Sequence, residues 1–149
     1  MHIKKLIVIL ASFLLLAGGA ALAQTERFTI TNSGWGRPEK GISIGAGPIN
    51  RSELSLDVHR WRKTKGELTI DLDARELTVR LPHKEIVYNL LTESYTHKDK
   101  NGWNYVERLA LEHGATLCRV WDCTHEDGTR QIYVLFNNFV QGYKILPEE

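Results

Sequence analysis

Apolar and polar residues alternate with a period of two along much of this chain, and no long stripe of period 3.6 competes with that pattern. Leu68, Ile70 and Leu72 stand against Thr69, Asp71 and Asp73; after a short turn, Leu77, Val79 and Leu81 stand against Thr78 and Arg80. Such a pair has one buried and one wet face, so the spacing predicts a hairpin joined by Asp73-Ala74-Arg75-Glu76. A second hairpin is predicted where Asp127-Gly128 supplies turn chemistry between Leu117 to Thr124 and Gln131 to Asn137. Further strands are expected at Phe28 to Thr31, at Leu54 to Trp61 and at Gly142 to Leu146.

Two segments carry competing signals. Between Pro82 and Tyr95, Ile86, Val87, Leu90 and Leu91 fall at helical spacing behind a proline suited to a first turn. Between Asn104 and His113, Asn104 with Glu107 makes a variant capping box, and Gly114 sits where a helix-ending glycine belongs. Yet Trp103, Tyr105, Leu109 and Leu111 also alternate, and His113-Gly114 would make a tight connection between strands. At most one of the two is expected to be helical. Residues 32–52 differ in composition: Gly34, Gly36, Gly41, Gly45, Gly47, Pro38 and Pro48 predict a loop. Gly45-Ala46-Gly47 is not a phosphate loop, because no Lys-Ser/Thr follows and Pro48 interrupts it. The fold class expected is a mainly β domain of seven to nine antiparallel strands, a small barrel or sandwich.

Residues 1–23 read differently from the rest. Lys4 and Lys5 precede the apolar run Leu6 to Leu16, and Ala21-Leu22-Ala23 ends a small-residue stretch of the kind a signal peptidase cuts. The expectation is a signal peptide at 1–23, a single domain at 24–149 and a secreted or periplasmic destination. An uncleaved anchor is the rival reading, disfavoured by the glycines and the cleavage pattern. Removing 23 of 149 residues leaves 126, enough for one core. Losing Lys4 and Lys5 leaves 17 basic against 18 acidic residues, a balance with no global pull towards nucleic acid or an anionic membrane. Neither a nucleic-acid partner nor membrane insertion after cleavage is expected.

An exported chain with two cysteines invites a disulfide, but geometry opposes one. On a continuous strand from Leu117 to Thr124, Cys118 and Cys123 point to opposite faces and stand about 16 Å apart, whereas a bridge tolerates roughly 4.4–6.8 Å between Cα atoms. Two free thiols are expected. Cys123, His125, Asp127 and His113 lack the spacing of a zinc site, so neither a metal nor a cofactor is expected. No nucleophile motif appears, and Asp71 with Asp73 reads as a wet strand face. No catalytic residue is assigned.

Two features point to binding. His59-Arg60-Trp61-Arg62-Lys63-Thr64-Lys65 mixes basic side chains with an indole, which suits an anionic partner, and equally a charged strand end that discourages edge pairing. Trp35, Trp61, Trp103 and Trp121, with Tyr88, Tyr105, Tyr133 and Tyr143, could line a pocket or fill a core. In architecture, residues 53–146 resemble small exported calycin or lipocalin-like barrels, although no diagnostic motif is matched; the resemblance implies a barrel mouth able to hold a ligand. The functional expectation is an exported non-enzymatic binding protein. It would take a small amphipathic ligand in a barrel pocket, or a macromolecule at the rim, through Arg60, Trp61, Arg62, Lys63, Trp35, Trp103 and Trp121. The alternatives are an inhibitor or interaction protein acting on an exported enzyme, and a hydrolase whose site is assembled from distant residues.

Overall fold

The computed structural model describes residues 25–38, 44 and 58–148. Eight strands, β1 (Thr25–Gly36), β2 (His59–Asp71), β3 (Glu76–Leu81), β4 (Lys84–Lys98), β5 (Trp103–Glu112), β6 (Thr116–His125), β7 (Arg130–Leu135) and β8 (Val140–Pro147), close into an antiparallel barrel. Each strand pairs with the next, and β8 returns to β1, with Phe28 opposite Pro147 and Gly36 opposite Val140. Closure leaves no free edge and decides for a barrel over a sandwich. Among the described residues there is no helix, and so none long and apolar enough to cross a membrane.

Both segments with competing signals are strands, because each has an inward face to bury. Tyr88 and Leu90 of β4 and Ala110 of β5 pack inside with Leu68, Ile70, Leu77 and Val79. His113 and Gly114 both have positive φ, 50° and 71°, as the central residues of a β-turn in which the Ala115 amide donates to the Glu112 carbonyl at 3.0 Å, within a three-residue connection between Glu112 and its partner Thr116. The glycine thus ends a strand, not a helix.

Three boundaries differ from the alternation alone. Leu72 is 37% exposed, because the β2–β3 turn starts at that residue and the Asp71 carboxylate caps the Ala74 amide at 2.9 Å. β1 continues through Gly36, into the stretch read as loop: Gly34 is required there, since a Cβ would lie 2.7 Å from the Trp61 indole. Of the strand expected at Leu54 to Trp61, residues 54–57 lie outside the described set, and β2 starts at His59.

The barrel interior is filled by Phe28, Ile30, Leu68, Ile70, Leu77, Val79, Val120, Ile132, Val134, Tyr143 and their neighbours. A second cluster lies on the outer face of β5–β8, where Tyr105, Trp121, Cys123, Leu135 and Val140 pack with Ile44. β6 therefore buries both faces. Cys118 sits in the first cluster and Cys123 in the second, and neither forms a disulfide, as the strand geometry required.

The two ends of the barrel are built differently. Where the β2–β3, β4–β5 and β6–β7 turns gather, Arg130 reaches the two oxygens of Asp122 at 2.9 and 2.6 Å and Glu26 at 3.1 Å, with its guanidinium 4.5 Å from the Phe28 ring centroid. Asp122 pairs in register with the interior residue Ile132, so this network lies across the mouth and closes it. The opposite end has no such plug among the described residues.

Candidate functional site

The open end gathers the last residues of β1, the first half of β2, the β3–β4 turn and the first residues of β8. β1 slips register against β2 between Ile30 and Asn32 and again between Ser33 and Trp35, and these bulges bend and twist the pair, which stays in register to Trp35 opposite His59 at the mouth. Gly66 lets β2 cross β3 closely, since a Cβ there would lie 2.7 Å from the Arg80 carbonyl oxygen. The result is a cleft of about 480 Å³ lined by Arg62, Lys63, Lys65, His83 and Lys84 on its rim and by Ser33, Thr64, Gln141, Leu81, Pro82 and Tyr143 below. None of these is a carboxylate.

Below the rim the groups are neutral and held in place. The Ser33 and Thr64 hydroxyls share a hydrogen bond of 2.6 Å, and the Gln141 amide donates to the Gly34 carbonyl at 2.8 Å. Tyr143 forms the floor. Burial pushes its phenol up to about 12, with a hydrogen bond to Tyr88 opposing, and burial lifts the Tyr88 phenol well above its usual range too. Burial, reinforced by Glu112, likewise pushes the Cys118 thiol up to about 12. All three stay protonated at neutral pH, so the interior presents hydroxyls and a thiol beneath a cationic rim.

Next to the cleft, Trp35 shares the inward face with Gln141, its partner in register. Its ring stacks on Phe139 at 6.0 Å and lies 6.4 Å from His59, while the Arg60 guanidinium sits 4.8 Å from its centroid. Arg60 holds φ at 64°, a left-handed conformation that non-glycine residues seldom adopt. Phe136, against Phe139 and the barrel core, extends this aromatic wall.

The residues singled out by sequence separate into three groups. Arg62 and Lys63 line the cleft, with Lys65 and Lys84 beside them. Arg60 and Trp35 stand together at the same end. Trp61 lies on the outer wall, flat against Gly34 and Gly142, with the Lys144 ammonium 4.6 Å from its ring centroid. Trp103 and Trp121 belong to the outer cluster of β5 and β6. Trp103 meets the His125 ring edge-on at 4.9 Å, and Trp121 is fully buried with its Nε1 donating to Glu107 at 2.8 Å. Sequence reasoning missed this buried Glu107, which also receives the Arg119 guanidinium, while Arg119 Nε donates to the Ile44 carbonyl at 2.8 Å. The available signal was a carboxylate on the same alternating face as Trp103, Tyr105 and Leu109. Lys84 and His83 were missed because a turn from elsewhere in sequence brings them to the β2 cations.

A second cleft, of about 420 Å³, lies between Thr96 to Lys98 and Asn104 to Val106 of the β4–β5 hairpin, lined by these two strands alone. Among the described residues no three His, Cys, Asp or Glu side chains converge to hold a metal ion. Comparison of the chain with models of protein families, with curated proteins and with solved structures finds no match.

Proposed function

We propose that this chain is an exported, non-enzymatic binding protein that takes a small amphipathic ligand at the open end of its barrel. The observation that carries the reading is the asymmetry of the two ends. An ion network closes one mouth, and the other opens into a cleft with a cationic rim, an apolar and hydroxylic floor, and an aromatic wall beside it. The core below Tyr143 is packed with side chains, so the ligand sits in the mouth and not deep in the barrel. Concave sites that combine apolar lining with a few placed polar groups commonly hold small ligands. The leader-like residues 1–23 and the lipocalin-like architecture support an exported carrier or sensor.

The test is a fluorescence titration with 1-anilinonaphthalene-8-sulfonate. Saturable binding at one site per folded chain is expected, and Thr64→Trp, which fills the cleft, is expected to abolish it while Leu146→Trp on the outer wall leaves it intact. Binding that persists in the filled variant would refute the reading.

A further inference from the structure

We infer that the cleft recognises a phosphate or sulfate monoester head group, an inference resting on the amphipathic-ligand reading above. The cleft gathers cationic side chains that form no ion pair among the described residues. Elsewhere in the barrel Arg80 pairs with Glu67 and Glu85, Arg119 with Glu107, and Arg130 with Asp122 and Glu26, while Arg60 and Lys144 each lie over an indole. Arg62, Lys63, Lys65 and Lys84 line one cleft and form no ion pair among the described residues. Glu85, the carboxylate nearest in sequence to Lys84, is taken by Arg80 at 3.0 Å.

Four uncompensated cations around one opening repel each other, and their mutual repulsion is a cost to the folded state. The chain as a whole is almost neutral, with 19 basic and 18 acidic residues, so the cluster is a local arrangement and not a share of a generally basic surface. An anion between them reverses the sign of that term. A guanidinium offers a planar fork of donors and the ammonium groups act as adjustable point charges, which together match a tetrahedral oxyanion with three terminal oxygens. The Ser33 and Thr64 hydroxyls below add short polar groups, and Leu81, Pro82 and Tyr143 receive the first carbons of the attached chain.

Octyl phosphate, octyl sulfate, octyl glucoside and inorganic phosphate, titrated below the concentrations at which they form micelles, separate the alternatives by calorimetry. Octyl phosphate and octyl sulfate are expected to bind about tenfold or more tightly than octyl glucoside, and to weaken as salt is raised. The double variant Lys63→Gln with Lys84→Gln is expected to lose about tenfold in affinity for octyl phosphate and none for octyl glucoside, with Lys100→Gln at the closed end as an unaffected control. These lysines are exposed, so their loss spares the core. Equal affinity for octyl glucoside and octyl phosphate would overturn the head-group inference while leaving the amphipathic reading standing. Inorganic phosphate binding as tightly as octyl phosphate would uphold the anion site and overturn the amphipathic reading. If none of the four binds, both fall.

Discussion

Glu107 shows how one buried charge is made tolerable. Its carboxylate is fully buried, and it holds the Arg119 guanidinium and the Trp121 indole, while Arg119 also ties down the Ile44 carbonyl. Removing one partner strands the other in a low-dielectric setting, so Arg119→Met is expected to cost about 3–5 kcal/mol. Replacing both, as Glu107→Leu with Arg119→Met, is expected to cost much less than the sum of the two single changes, and denaturant melts of the three variants form the cycle that checks this. His125 offers a titration at the same scale. Its Nε2 lies 2.8 Å from the Asn101 carbonyl and its Nδ1 3.1 Å from Asp127 Oδ1, and the bond to Asn101, helped by Asp127 and opposed by burial, raises its folded pKa. A raised folded value means that His125 contributes stability fully below its unfolded pKa of about 6.5, and that the contribution is lost as pH rises through the folded value. Melting the wild type and His125→Gln between pH 5 and 8 is expected to show the advantage of the histidine shrinking as pH rises; parallel curves would refute the linkage.

At the scale of elements, β6 settles the thiol question by its continuity. Its ladder runs unbroken from Thr116 to His125 against β5, placing Cys118 opposite Ala110 and Cys123 opposite Tyr105 on opposite faces. Labelling of unfolded, unreduced protein is expected to find two reactive thiols per chain; a monomer lacking two protons and labelling at neither site would refute it. The same strand shows why so much of the barrel was legible in sequence. Period-two alternation reports a sheet directly, and Asp127-Gly128 and His113-Gly114 mark turns by their chemistry. What escaped has a physical reason in each case. Alternation does not say which face is inside a barrel and which is covered from outside, so Trp121 and Tyr143 look alike in sequence although one packs in the outer cluster and the other floors the cleft. Arg62 and Lys63 were visible as a charged run, whereas Lys84 joins them only through the meeting of the β3–β4 turn with β2.

For the whole molecule, the seam between β1 and β8 joins residues more distant in sequence than any other strand pair, as Phe28 opposite Pro147 illustrates. Trp61 lies across that seam, its indole against Gly34 of β1 and Gly142 of β8. Such non-local pairing makes folding slow, because the chain must lose the entropy of a very long loop before closure returns any contact. The indole that reads as a binding residue in sequence is thus expected to report the closure of the barrel during folding. In stopped-flow refolding, Trp61 emission, isolated by replacing the other three tryptophans with phenylalanine, is expected to change in the slowest phase, after far-ultraviolet dichroism has developed. Joining the neighbouring ends of β1 and β8 by a short linker and reopening the chain at His113-Gly114 is expected to turn that closure into a local hairpin and to abolish the lag.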